Sequence, residues 1–491
     1  MGAGIRTGVR IMACTAVAAA LFATGTVASA QSTAADGIGR SPLSASTLVN
    51  RALRSGAITV GGAHGAIAQP GSPDATALPN VKASNAGANP VNETPITANP
   101  INGNQLMSGG NDYSCSSLQG FYNSDNGGTT WRQHCMPGDG CGDPNVAYDL
   151  TGKAYIAGIS SCSGGGLALQ SSTDNGVTWG PETLAFTSIL GGLVDKNWME
   201  IDTNSASPFK NCLYVSWTDF NSAFTQTRAS VAHSCNGGST WTRVPVDSTQ
   251  TTPKVDQFTD LAIGADGTVY LSWMQCQVSG PAGDCGNTTV QMKFSKSTDG
   301  GNSWTSPSIM ATAQTAPDST FGCYYGCFPG SSERLSNIPV IDVDKGDGSL
   351  HVAFYTYTGG NTRMEETHST NGGTSWSAPA QIATNPGNMG WQWLSVSSTG
   401  TVAVSLWFSQ VNGKFITGAA FSTDGGATFP TKVKTSSQPS FFVNDGFNGG
   451  FIGDYSGSIW VGSGTLHMSW TDARNGQSPP SVDMTGGSTF P

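Results

Sequence analysis

The segment Gly453-Asp454-Tyr455-Ser456-Gly457 sets a carboxylate and a phenol between small residues, which would leave room for a ligand to approach. Soon after comes Trp470-Thr471-Asp472, with Arg474 beyond it, and Trp217-Thr218-Asp219 repeats that tripeptide. Glu93, Asp143, Asp195 with Lys196 and Trp198, Asp256 with Gln257, Arg334 with Asn337, and Trp391 each stand at or just ahead of an apolar stretch. Carboxylates brought close together push their pKa values apart, giving one proton donor and one base. Aromatic rings stack on sugar faces, while carboxylates and guanidinium groups take hydroxyl and acid groups. The set therefore points to carbohydrate. Asp454 or Tyr455 is expected in chemistry, with Glu93 or Asp143 as partner. Arg474 is expected on an acidic substrate group, and Asp472, Asp195, Lys196, Trp198, Arg334 and Trp391 as further contacts. Competing readings make Asp454 a lock on loop backbone, and the Trp-Thr-Asp tripeptides a core ring plus a turn former.

Other chemistries fit poorly. His is scarce, and no spacing suggests a Ser-His-Asp relay. Gly164-Gly165-Gly166 lacks the strand-to-helix context of a phosphate cradle. Asp342, Asp344 and Asp347 surround Lys345-Gly346 and read as a polar turn in preference to a calcium loop. No metal and no cofactor is expected. The formal net charge of -10 and the pI of about 4.9 argue against nucleic acid as a partner.

The first 30 residues have the layout of a secretory signal: Arg6 and Arg10, an apolar run from Ile11 to Val27, then Ala28-Ser29-Ala30. Cleavage after Ala30 would remove those two arginines and leave a net charge of -12. Cys14 precedes most of the apolar run, so it does not suit lipidation. After cleavage no apolar run is long enough to span a membrane. A secreted or periplasmic monomer is expected. Of 11 cysteines, ten would remain, an even number that suits disulfides outside the cytoplasm. Topology suggests Cys212–Cys235, Cys276–Cys285 and Cys323–Cys327. Cys115, Cys135, Cys141 and Cys162 allow three pairings.

Residues 31–78, rich in Ala, Ser, Gly and Thr, read as a flexible lead-in or pro-segment. A single domain is expected over 79–491. Within it S-x-[DN]-x-G-x-x-[WF] occurs six times, at Ser124–Trp131, Ser172–Trp179, Ser234–Trp241, Ser297–Trp304, Ser369–Trp376 and Ser422–Phe429. Around each copy the order is strand, turn, alternating strand, motif. A unit of about four strands cannot bury its own faces, so the units must stack.

These six copies resemble Asp boxes, the bacterial neuraminidase repeats of sialidase-like β-propellers, over about residues 80–475. The resemblance implies an all-β propeller with each box as the turn between third and fourth strands. The site would lie on the opposite face. Phe451–Asp472 has no following box, and Asn80–Ser84 is a strand without a blade. Joining them gives seven blades with the ring closed by the N-terminal strand; six blades is the alternative. The family implies a glycan partner and a glycoside hydrolase or glycan lyase, the alternative being a non-catalytic glycan-binding module. The family's Phe/Tyr-Arg-Ile/Leu-Pro signature is missing and top-face arginines are few, so a three-arginine clamp for sialic acid is not expected.

Overall fold

One hydrogen-bond pattern recurs at all six repeated motifs. The first Ser Oγ accepts from the backbone N–H four residues on, at 2.8–3.0 Å, and donates to the Asx Oδ1. The same Asx oxygen accepts the N–H of Thr130, Thr178, Thr240, Ser303, Ser375 or Thr428. Asp174, Asp299 and Asp424 are held down to about 2 by these bonds, that from the Thr178, Ser303 or Thr428 hydroxyl foremost. The network consumes the side chains in closing the turn, which leaves them structural.

The computed structural model describes residues 41–60, 76–86, 89–279, 283–318, 323–383, 387–409, 413–447, 450–474 and 482–489. The expected signal and cleavage point lie outside the described residues. The chain forms a seven-bladed β-propeller. Each blade is built on four antiparallel strands that run outward from a central channel. Blade three is typical: Gly191–Ile201, Leu213–Asn221, Gln226–Ser234 and Thr242–Pro245. In blade seven, Gly457–Val461, Thr465–Asp472 and Val482–Thr489 come from the C-terminal end, and Val81–Lys82 is the fourth strand. The N-terminal strand thus closes the ring, which leaves no long free edge between first and last blades.

Buried tryptophans in the second strands fill the space between blades: Trp217, Trp273, Trp407 and Trp470 are almost wholly inaccessible. The motif tryptophans contribute less, whereas Phe429 of the sixth motif is buried in the core. Trp131, Trp179, Trp241, Trp304 and Trp376 are half-buried, not wedged into the core. Trp131, Trp241 and Trp304 each donate an indole N–H to the motif's own Gly carbonyl. Five disulfides form. Three are those topology suggested, and Cys115–Cys135 with Cys141–Cys162 resolves the open choice.

Within the stretch read as lead-in, the structure differs from flexible chain. Ala45–Arg54 is a helix, α1, capped by Ser44, whose Oγ accepts from Thr47 N–H. It belongs to no blade and sits over one mouth of the channel.

Trp241→Ala tests the packing argument. Its ring lies 5.5 Å from Phe186. Loss of a half-buried indole should cost about 2 kcal/mol, less than a full core truncation. Denaturant unfolding measures it; a loss above about 4 kcal/mol would mean the ring is core after all.

Candidate functional site

The inner strands do not run straight into the channel. Ladder register slips between Asp195 and Trp198, between Gln257 and Asp260, and between Gly390 and Trp393. Inside those slips Lys196, Phe258 and Trp391 adopt left-handed backbone (φ 48°, 65° and 50°), as do Glu93 (56°) and Asp143 (51°) ahead of the inner strands of blades one and two. Such conformations are costly for residues with a Cβ and gather where side chains must be aimed. Here they form a collar around the upper mouth, the face away from the repeated turns. In blade seven the matching position is Gly453, φ 103°, where a Cβ would come within 2.9 Å of Glu93 N. Gly457 is equally tight, 2.7 Å from Ile96 N. The small residues around Asp454 therefore admit blade one, not a ligand.

The collar aims four carboxyl groups at one place. Glu93 accepts from Asp454 N–H (2.9 Å) and Asn111 Nδ2 (2.9 Å), and hydrogen-bonds the Asp143 side chain. Asp143 accepts from Lys196 N–H at 2.7 Å. Asp454 accepts from Ser336 Oγ at 2.5 Å. Asp195 accepts from Gln257 Nε2 at 2.6 Å. Burial, then the charges of Asp143 and Asp454, hold Glu93 well above the usual carboxylate range. Burial, then Asp195, pushes Asp143 up to about 7, and burial raises Asp454. Glu93 and Asp143 are both raised first by burial and hydrogen-bond each other, so the pair holds one proton between them.

Beneath the carboxyls lies a floor. The Lys196 ammonium sits 4.3 Å from the Tyr455 ring centroid, 5.0 Å from Trp198 and 5.7 Å from Trp393. It is fully buried without a hydrogen bond among the described residues. Burial lowers its pKa, and the surrounding carboxylates oppose that shift. Below the floor the channel widens into a cavity of ≈ 540 Å³ lined by Trp198, Glu200, Asp260, Asp342, Trp393 and Trp460. This larger space lies toward the repeated turns and away from the collar, because the upper mouth is filled by the segment leading into α1.

That filling is polar. Ser44 donates both N–H and Oγ to Asp195, at 2.7 Å each, and Thr47 Oγ1 adds a third bond at 2.5 Å. Ser46 Oγ donates to Asp143 at 2.6 Å, and Ala45 N–H to Asp454 at 2.7 Å. In the other direction, Gln257 Nε2 and Tyr325 OH donate to Pro42 O, and Arg334 to Leu43 O.

The structure gathers Glu93, Asp143, Asp195, Lys196, Asp454 and Arg334, with Trp198 and Tyr455 as floor. It does not bring the other expected residues there. Arg474 grips Asp472 through Nε (2.8 and 2.7 Å) and bonds Ser437 and Asn80, and Asp472 also meets Ser440. That pair ties blade seven to the N-terminal strand, so Arg474 is not available to a substrate acid group. Asp219 likewise caps the backbone at Ile189 and Leu190. Trp391 packs between Phe328 and Trp407 and donates to Gly453 O, so it supports the collar from behind. Tyr455 OH donates to Pro144 O. Arg228 pairs with Asp219, and Arg363 donates to Gly387 O. Asp342, Asp344 and Asp347 each accept from nearby backbone. The residues that sequence reading missed are Ser44, Ser46, Thr47 and Tyr325, while Gln257, marked with Asp256 at its strand entry, does reach the site. Leu48, Val49, Ala52 and Leu53 at helical spacing behind Pro42 and Ser44 were the available signal.

Among the described residues, two other groups have metal-ligand chemistry. Cys323 and Cys327 beside Asp318 are already bonded to each other. Glu366 bridges His351 Nδ1 (2.8 Å) and His368 Nδ1 (3.2 Å) near the repeated turn of blade five, remote from the collar.

No protein-family model matches the chain, and no curated protein matches it. Solved structures do. An ulvan lyase of a new polysaccharide lyase family aligns with a TM-score of 0.53 and 12% identity, over 86% of this chain and 95% of that one. An α-L-arabinofuranosidase from Fusarium graminearum, bound to an iminosugar inhibitor, aligns at 0.47 and 12%, over 84% and 98%. An intramolecular trans-sialidase from Ruminococcus gnavus, bound to oseltamivir carboxylate, aligns at 0.45 and 12%, over 67% and 92%. The likeness to the ulvan lyase is one of fold.

Buried carboxyls dictate an unusual pH response. Burial holds Asp143, Asp256 and Asp260 up at about 7 and Glu200 at about 8, against 3.8 and 4.5 ordinarily. Between about pH 4 and these values the folded chain keeps protons that the unfolded chain has released, so stability falls as pH rises. His467, lowered to about 4 by burial, opposes this only up to its ordinary 6.5. The melting temperature should therefore drop from pH 5 to pH 8, and Asp143→Asn with Asp260→Asn should flatten the slope. A melting temperature that climbs over this range would contradict the protonated cluster.

Proposed function

We propose that the chain is a secreted, glycan-cleaving propeller enzyme whose site is the collar of Glu93, Asp143, Asp195 and Asp454. The observation that carries this is the bridge between Asp143 and Asp195. Ser46 Oγ on Asp143 and Ser44 Oγ on Asp195 stand 3.1 Å apart, so the two carboxylates face each other across two hydroxyl oxygens. That spacing suits an acid and a base on either side of a sugar's reacting bond, which a direct carboxyl pair would not. Asp143, raised to about 7 by burial and sharing a proton with Glu93, is suited to exchange a proton at neutral pH. Asp195 is the opposing base, or the nucleophile if cleavage is hydrolytic. Arg334, Gln257 and Tyr325 would take sugar oxygens, and Lys196 below supplies a positive charge that favours an anionic or electron-rich group above it. The five disulfides suit an extracellular setting. The fold shared with an ulvan lyase supports the reading without naming the substrate.

The test is a panel of ulvan, sialyllactose, arabinan and neutral plant and algal polysaccharides. It is run on the natural chain and on one carrying Ser44→Ala, Ser46→Ala and Thr47→Ala, with product analysis for unsaturated ends or new reducing ends. Asp143→Asn and Asp195→Asn should each lower turnover of any hit by at least about a hundredfold with the fold intact. Binding without product would assign the collar to recognition alone, and full activity in both variants would move the site elsewhere.

A further inference from the structure

We propose that residues 41–56 are an intramolecular plug that holds this site closed by imitating the hydroxyl groups of its ligand, and that the enzyme becomes active when the segment is displaced. The proposal rests on the reading of the collar as a glycan site.

The segment satisfies the collar with the groups a sugar would bring. Three side-chain hydroxyls, those of Ser44, Ser46 and Thr47, donate to Asp195 and Asp143. Backbone carbonyls of Pro42 and Leu43 accept from Gln257, Tyr325 and Arg334, as hydroxyl or ring oxygens would. The helix start also places its backbone N–H groups on Asp195 and Asp454, where the positive end of the helix dipole offsets crowded negative charge. With α1 seated, Glu93, Asp143, Asp195 and Asp454 are all at most 1% exposed, so no substrate reaches them.

The ring closes without the segment. The blades close through Val81–Lys82, which comes later in the chain, and α1 pairs with no strand. Its other attachments are rim contacts to loops stapled by disulfides. Asn50 donates to Cys141 O and Arg51 to Cys162 O, the two ends of one disulfide, and Arg54 meets Asp139 and Gly140 O. The Arg54–Asp139 ion pair is partly exposed, and such a pair holds weakly. The apolar anchor is modest: Leu43 and Leu48 against the blades, and Ala45 and Val49 against Phe447 and Phe451. A segment whose polar groups meet the collar through hydroxyl, N–H and carbonyl groups can be exchanged for another ligand rich in the same groups.

The experiment uses the full chain with a site-specific protease sequence inserted after Val60, cut once folded and passed over a sizing column. Its probes are a labelled peptide of residues 41–56 and the glycans that score on the panel above. The proposal expects the cut ring to lose the fragment, to gain turnover at least about tenfold, to rebind the labelled peptide, and to lose the gain when excess peptide is added. A peptide with Ser44, Ser46 and Thr47 changed to Ala should not restore closure, and the same three changes in the uncut chain should raise turnover. Equal turnover before and after cutting would overturn the plug and leave the glycan reading standing. A fragment that stays bound in the cut protein, with no gain from the triple variant, would also overturn it by making α1 a fixed part of the fold. Release and rebinding of the peptide, with no glycan turned over in any form, would support a displaceable plug and sink the glycan-cleaving reading.

Discussion

Four carboxyl groups cannot be buried together as anions, and the upper channel is organised around that constraint. Glu93 and Asp143 resolve it by sharing a proton. Asp454 and Asp143 take backbone and hydroxyl donors. Lys196 lies underneath as the nearby amine; burial lowers its pKa, and Asp260 and those carboxylates oppose the shift. Remove any one member and the others lose a compensating partner in a medium too poor in water to replace it. The left-handed residues of the collar make sense on this ground. A regular inner strand would send alternate side chains into the channel and between blades. The slip at each collar position lets one blade present a polar group upward and an aromatic inward in three residues, as Lys196 and Trp198 do.

The same slip explains what could and could not be read from the sequence. The blades were legible because the turn motif spells out its own hydrogen bonds, and because Trp217, Trp273, Trp407 and Trp470 recur inside alternating strands. Closure was legible as well, since Asn80–Ser84 had no partner nearby and the last blade lacked a strand. The starts of inner strands were correctly marked as the place where polar residues collect. Which of them face the channel was not legible. Period-two reasoning fails across a bulge, so Trp391 and Trp393, two residues apart, serve different layers: one backs the collar, the other lines the floor. Asp472 and Arg474 misled for another reason. A carboxylate and a guanidinium two residues apart satisfy each other first, and only the position of Asn80 shows that their remaining bonds close the ring.

The helix was the largest gap. Its composition is that of a linker, and a ten-residue helix is marginal alone. What fixes it is tertiary: the carboxylates that receive Ser44 and Ala45 lie 151 and 409 residues away in the chain. No local pattern encodes such a docking, although the Ser cap and the Leu48, Val49, Ala52, Leu53 spacing mark the element itself.

The two ends of the channel differ in a way that bears on function. Below the floor, Glu200, Asp260 and Asp342 also have raised pKa values, caused first by burial. They stand around an open cavity in which Asp260 and Asp342 spend oxygens on backbone N–H groups of Ile341, Val343 and Val396. Those bonds hold neighbouring inner strands together, so the lower carboxylates act as ties between blades. Above the floor the carboxylates take as many bonds from a segment that belongs to no blade as from the ring itself. Asp195 is the extreme case, with three bonds to that segment and one to the ring, which is the position of a binding site already occupied. That distinction, and not cavity size, favours the upper mouth over the lower one as the proposed site.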